Sequence, residues 1–193
     1  MLQDLKDAIT RRRALWITPF AFAGLVAISS RKGARSGEPD SNQEVTIVQF
    51  SDAGVKQATV HVKQVVRSEG EWRQVLSRDQ FYVTRRQSTD TPFTGTYYKR
   101  HDPGIYRCVC CGNALFSSET KFDSGTGWPS FWAPVAEQNI RTRSDVSMFM
   151  ERVEVQCTLC DAHLGHVFND GPAPTNLRYC LNESALRFAA LKT

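Results

Sequence analysis

Long hydrophobic runs are scarce in this chain. The longest, residues 14–28 (ALWITPFAFAGLVAI), has about 15 uncharged positions, short of the ~20 that a simple membrane span needs. Pro19 interrupts it further as a long helix. Charge of one sign is scarce as well. The formal net charge is +4, part of it from Arg11, Arg12 and Arg13, and no basic run follows them, which excludes a nucleic-acid partner on charge grounds. Internal repeats are missing apart from a doubled Cys-x-x-Cys. The hydrophobic fraction of 41% and charged fraction of 23% are those of an ordinary globular protein. The chain of 193 residues suits one domain with appendages, expected to be a monomer.

The order of segments is legible. Residues 1–32 read as a signal peptide or membrane anchor: a polar stretch ending in three arginines, an apolar core, then Ser29, Ser30, Arg31 and Lys32. The stretch Thr10-Arg11-Arg12-Arg13-Ala14-Leu15 resembles a twin-arginine export signal, and Ala27-Ile28-Ser29 is the best candidate for a cleavage site. The expected location is the bacterial periplasm, or the membrane facing it; the alternative is the cytoplasm. Residues 33–43 are a linker rich in Gly, Ser, Pro and charge. Residues 44–67 read as a β-hairpin-like extension of unassigned role. Its strands cover 45–50 and 58–66, with the turn at Asp52-Ala53-Gly54 and His61 on the solvated face. Ser68-Glu69-Gly70-Glu71 has capping-box spacing, with Trp72, Val75 and Leu76 as its apolar stripe, and Ser77-Arg78-Asp79-Gln80 starts a second short helix. From Thr84 onward, aromatic and β-branched residues broken by Gly, Pro, Asn and Asp predict a mainly β domain over 68–193.

Six cysteines are present, and the spacing of four carries chemistry. Cys108 and Cys111 form one Cys-x-x-Cys, Cys157 and Cys160 the other, and each pair precedes residues that turn the chain. Two such knuckles complete a tetrahedral, closed shell of four sulfurs, which suits one structural Zn²⁺. Disulfides in an oxidising compartment, a thioredoxin-like redox pair and iron are the competing readings. Cys110 is the spare thiol, because Cys108 with Cys111 keeps the spacing of the other knuckle.

Cys180 is the remaining cysteine. Alone, a cysteine in a partly apolar segment is more often packing than catalysis. Its neighbours change that. Arg178 is placed to stabilise a thiolate, and Asn182 falls on the same side of a strand. His163 and His166 follow directly after a knuckle, so a bound metal would hold them in place. Gly125–Trp132 is a Gly-hinged aromatic loop, either a core turn or the wall of an apolar pocket.

These motifs resemble the B-type, R-stereospecific methionine sulfoxide reductases. The resemblance runs from about Glu71 to Leu191 and rests on Pro92-Phe93-Thr94-Gly95, Cys108-x-x-Cys111, Ser124-Gly125-Thr126-Gly127-Trp128-Pro129-Ser130-Phe131, Cys157-x-x-Cys160, His163-Leu164-Gly165-His166-Val167-Phe168 and Arg178-Tyr179-Cys180-Leu181-Asn182. It implies two antiparallel sheets with a few short helices on the N-terminal side, stapled by the four-cysteine zinc site. It implies Cys180 as the nucleophile, with His166, His163 and Asn182 around it. Trp128 and Phe168 would hold the S-methyl group, and Arg178 and Asp170 would organise the site. The substrate would be oxidised protein or peptide carrying methionine-R-sulfoxide. A thioredoxin- or glutaredoxin-like thiol would regenerate the enzyme. Many relatives carry a resolving cysteine in the Ser-Gly-x-Gly-Trp-Pro-Ser-Phe loop. Here Thr126 stands in that position, which leaves Cys110 as a possible resolving thiol or an external thiol acting directly.

Overall fold

The computed structural model describes residues 43–146 and 151–191. The targeting segment, 1–32, and all of the linker except Gln43 lie outside the described residues. Among the described residues no helix is long and apolar enough to cross a membrane.

Two short helices open the domain, each started by a complete capping box. In α1 (Glu69–Val75) the Ser68 hydroxyl accepts the Glu71 N–H while the Glu71 carboxylate accepts the Ser68 N–H; Ser77 and Gln80 do the same for α2 (Arg78–Arg86). Four orphan donors at the helix starts are thus satisfied within seven-residue and nine-residue helices too short to stand alone. The helices are anchored by packing. Trp72, Leu76 and Phe81 are buried together. Val75, expected in the same stripe, is 55% exposed, because the helix presents only a narrow face to its neighbours.

The rest is β structure. The sequence suggests two antiparallel sheets, whereas the described residues form three. The additional one is the N-terminal hairpin of β1 (Glu44–Phe50) and β2 (Lys56–Lys63), which forms its own sheet instead of joining another. A three-stranded sheet has the order β11-β3-β4, with β3 (Gly104–Cys108), β4 (Ala114–Ser117) and β11 (Leu186–Ala190). A six-stranded sheet has the order β5-β6-β10-β9-β8-β7, with β5 (Lys121–Phe122), β6 (Ser130–Phe131), β7 (Ile140–Asp145), β8 (Arg152–Cys157), β9 (His163–Phe168) and β10 (Arg178–Leu181). All the pairings are antiparallel.

The two larger sheets meet through aromatic rings. Tyr106 and Phe116 of the three-stranded sheet contact Phe131 of the six-stranded one at centroid distances of 4.9 and 4.8 Å, and Phe116 reaches Tyr179 at 5.4 Å. Tyr179 and Phe131 therefore face the core. Because side chains alternate along a strand, their neighbours Cys180 and Ser130 face the opposite side of the sheet.

The hairpin is fastened mainly through buried side chains. Asn139 is fully buried. Its Oδ1 accepts the Val48 N–H at 2.7 Å, and its Nδ2 donates to the carbonyls of Val48 and Ala114, each at 2.8 Å. The amide thus stands in for a strand partner of β1. Arg107 donates to the carbonyls of Phe50 and Ser51, each at 2.9 Å, and the Val65 N–H donates to Leu159 O at 2.8 Å. The extension whose role the sequence leaves blank is therefore bound to the same region as the cysteine knuckles. Asn139→Ala leaves three buried backbone groups without these partners, at ~1–3 kcal/mol for an unsatisfied group. Urea unfolding is expected to show a loss of about 2–4 kcal/mol in this variant.

Candidate functional site

The two knuckles are built alike. Cys108 ends β3 and Cys157 ends β8. The Gly112 N–H returns to Cys108 O at 2.8 Å, and the Asp161 N–H returns to Cys157 O at 2.9 Å. Gly112 and Asp161 both take positive φ, +77° and +58°, which closes each turn. Cys108, Cys111, Cys157 and Cys160 are free thiols whose sulfurs all lie within 4.8 Å of one another. Cys108 to Cys160 and Cys111 to Cys157 are each 3.6 Å apart. A tetrahedral shell with metal–sulfur bonds of ~2.3 Å has edges of about 3.8 Å, so this cluster could hold a metal ion. Its surroundings fit that use. Arg85 of α2 donates to Cys160 O at 2.8 Å and reaches Cys160 Sγ at 3.6 Å, and Asn113 Nδ2 lies 3.7 Å from Cys157 Sγ. Donors of this kind offset the negative charge that four thiolates gather.

Cys110 belongs to this neighbourhood. It packs against the Trp72, Leu76 and Phe81 cluster, and its sulfur interacts with Cys108, Cys160 and Arg85. Cys180 lies among other groups: Thr126, Ser130 and Arg178 are beside it, and His166 stands opposite it on the next strand.

Cys180 lies in a row of residues that crosses the face of the six-stranded sheet turned away from the aromatic core. The pairing register sets Ser130 opposite Cys180, Cys180 opposite His166, His166 opposite Glu154, and Glu154 opposite Arg143. Directly opposed residues project on the same face with Cβ atoms ~4.5–5.5 Å apart. In the adjacent pairs, Arg178 stands opposite Phe168 and Asp145 opposite Arg152. A register shift at Val155/Gln156 brings His163 in as well: its ring packs edge-on against His166 at 5.4 Å. Gly165 makes the close approach of β9 and β10 possible, since a Cβ there would fall 2.1 Å from the Cys180 carbonyl oxygen.

Each imidazole has its own carboxylate. His166 Nε2 lies 2.9 Å from Asp145 Oδ2, which Arg152 also contacts at 2.8 Å. His163 Nδ1 lies 2.6 Å from Glu154 Oε1. A carboxylate only accepts, so each of those ring nitrogens carries hydrogen. Burial pushes the His166 pKa down despite Asp145, keeping the ring neutral near pH 7. Burial likewise pushes the Cys180 thiol up, and the Thr126 hydroxyl and the Arg178 guanidinium pull against it without cancelling it. Arg178 is held by a two-pronged pair with Asp170, both contacts 2.8 Å, and stacks over Phe168 at 4.4 Å. That pairing depresses the Asp170 pKa.

Asn182, just past β10, is 3% exposed. Its Oδ1 accepts the Asp90 N–H at 2.9 Å, and its Nδ2 donates to Leu164 O at 3.2 Å. Asp90 O in turn accepts Trp128 Nε1–H at 2.9 Å, so Asn182 and Trp128 are joined through one backbone segment. Thr126 Oγ1 is 3.9 Å from Cys180 Sγ and 2.8 Å from Ser124 Oγ. A cleft of about 560 Å³ adjoins this loop; Gly127, Trp128 and Pro129 line it together with Tyr82, Asp90 and Glu183, and Cys180 is not in its wall.

Residues 76–190 match the family model of the SelR domain, more than half of the chain. The chain belongs to the B-type methionine sulfoxide reductases. It is 55% identical to the peptide methionine sulfoxide reductase MsrB of Hahella chejuensis over 125 residues, covering 65% of this chain and 90% of that protein. It is 45% identical to the chloroplastic peptide methionine sulfoxide reductase B1 of Arabidopsis thaliana over 169 residues, covering 87% of this chain and 76% of that protein. A third relative, MsrB of Thioalkalivibrio sulfidiphilus, is 56% identical over 118 residues, 61% of this chain and 86% of that one.

In this reductase the sequence-derived site residues Cys180, His163, His166, Phe168 and Arg178 share one sheet face. Asp145, Glu154 and Ser130 join them without having been singled out from the sequence. The signal for Glu154 was available: within Arg152-Val153-Glu154-Val155-Gln156 it alternates with valines and so shares a side of β8 with Arg152 and Gln156. For Asp145 no such pattern exists. In a Cys110→Ser background, the rate of iodoacetamide alkylation at Cys180 is expected to rise with pH through a midpoint above that of free cysteine under the same conditions. Arg178→Met removes the cation that opposes burial and raises the midpoint further. Peptide mass mapping over a pH series reads both.

Proposed function

We propose that this protein reduces methionine-R-sulfoxide in oxidised proteins to methionine, with Cys180 as the nucleophile. The observation that carries this reading is the position of Cys180: on the sheet face turned away from the aromatic core, directly across from a neutral imidazole. A sulfoxide sulfur is a poor electrophile until its oxygen gains a proton. The thiol is itself the source of that proton. His166, neutral and with Nε2–H donated to Asp145, keeps Nδ1 free to take the Cys180 proton and pass it to the sulfoxide oxygen. The Cys180 sulfur attacks the substrate sulfur as the oxygen takes the proton. The hydroxyl then passes to the Cys180 sulfur while the new sulfur–sulfur bond and the old sulfur–oxygen bond break, leaving methionine and a Cys180 sulfenic acid, so that the thiol proton becomes the sulfenic hydroxyl proton and two electrons pass from cysteine to substrate. His163 orients the oxygen. Asn182 acts by seating Leu164 and the Asp90 segment.

Trp128 forms the apolar side that receives the S-methyl group, and Arg178, fixed by Asp170 and stacked on Phe168, closes the polar side. Aromatic wall and polar donors on opposite sides select one epimer. The cleft beside Trp128 supports protein-bound substrate, because it offers room for chain flanking the methionine. Regeneration consumes two thiols, releases water and forms a disulfide. With Thr126 beside Cys180 and Cys110 among the knuckles, direct attack by a thioredoxin- or glutaredoxin-like thiol is the better-supported route. Four thiolates with no open position favour Zn²⁺ in a structural role, contributing on the order of 10 kcal/mol to folding. Export to the periplasm rests on residues 1–32.

The test is turnover of racemic dabsyl-methionine sulfoxide with dithiothreitol, with the epimers resolved. The R epimer is expected to disappear and the S epimer to persist. Cys180→Ser is expected to lose about 10⁴-fold or more in rate while keeping one zinc per chain. Consumption of the S epimer, or an active Cys180→Ser variant, overturns the reading.

A further inference from the structure

Glu154 is an unusual residue for the middle of a sheet. Its side chain is 2% exposed, and a buried carboxylate is tolerated only when paired and hydrogen-bonded. Its pairing is specific. Oε1 lies 2.6 Å from His163 Nδ1 and 3.3 Å from Gln87 Nε2, and Oε2 lies 3.4 Å from Arg143 Nε. Burial pushes this carboxyl up, and His163, with help from Gln156 and Arg143, more than offsets it, holding it below the ordinary range.

The consequence falls on the other side of the imidazole. With Nδ1–H committed to Glu154, Nε2 is the ring's remaining proton-exchanging position. That atom is buried and, among the described residues, has no hydrogen-bond partner. Buried polar atoms left unpaired are rare in folded proteins. Here the ring packs at 5.4 Å on His166, whose strand position faces Cys180. The open valence thus belongs to the face where a sulfoxide oxygen would arrive.

We propose that Glu154 is a positioning residue for sulfoxide reduction, acting through His163. It fixes the Nδ1–H tautomer and the ring plane, so that the Nε2 lone pair faces the sulfoxide oxygen and accepts from its hydroxyl once His166 has passed the proton there. This rests on Cys180 being the reducing thiol. The alternative is a pair that only satisfies two buried groups, which would affect stability but not the chemical step.

The experiment is single-turnover reduction of dabsyl-methionine-R-sulfoxide by the zinc-loaded full chain without added thiol. In Glu154→Gln the rate constant is expected to fall about 10–100-fold, with the amplitude still one methionine per chain and the zinc content unchanged. In a His163→Asn background the same substitution adds less than twofold, since both changes remove one function. Histidine ¹⁵N spectra of the unaltered protein show His163 protonated at Nδ1. A Glu154→Gln rate within twofold of the unaltered protein overturns the proposal, as does a further tenfold loss in the His163→Asn background. So does an Nε2–H tautomer in the unaltered protein, a result that needs no variant to fold. If the unaltered protein itself yields no methionine, the Cys180 reading fails, not the role of Glu154.

Discussion

Four sulfur atoms drawn within 4.8 Å of one another are the constraint on which the rest of this structure leans. They tie the β3–β4 turn to the β8–β9 turn, and so one sheet to the other. The strand that leaves the second knuckle is β9, and its first residue, His163, follows Cys160 by three positions. An error in that knuckle would therefore be carried straight into the imidazoles. The N-terminal hairpin and α2 both reach the same region, through Asn139, Leu159 and Arg85. A small β domain with large aromatic rings in its core has thus placed the cluster that could hold a metal ion next to the strand that carries both imidazoles.

The alternation of a β-strand does the rest. Tyr179 and Cys180 are neighbours in sequence, yet one fills the core and the other lies on the opposite face, across from His166. The thiol is disfavoured as an anion by burial; in the proposed reaction it delivers a proton as well as an electron pair. Two imidazoles lie side by side, each backed by its own carboxylate. Gly165 lets the two central strands approach closely enough for this row to form, because any side chain there would meet the Cys180 carbonyl.

Much of this was legible in the sequence where the signal is local. Both capping boxes, both knuckles and the hairpin turn at Gly54 depend on residues a few positions apart, and the structure has each of them. What depended on register was not legible. The opposition of Cys180, His166 and Glu154 requires knowing which strands pair and where the ladder shifts, and no spacing in the chain states that. Asp145 escaped for the same reason: it meets His166 only because β7 lies at the far edge of the sheet. The hairpin was expected as an extension; what the sequence did not show is that the Asn139 amide bonds β1 where a neighbouring strand would. Val75 shows the limit of helical periodicity, which marks a face but not how much of it finds a partner.

The central claim is that one sulfur, that of Cys180, accepts the substrate's oxygen. It is tested most directly by mixing the protein with one equivalent of methionine-R-sulfoxide carrying ¹⁸O, without reductant, and weighing the Cys180 peptide after rapid quench. The account requires that peptide to gain one labelled oxygen for each methionine formed, with the knuckle cysteines unchanged. Methionine appearing while the Cys180 peptide keeps its original mass, and the label residing on another cysteine, would contradict it.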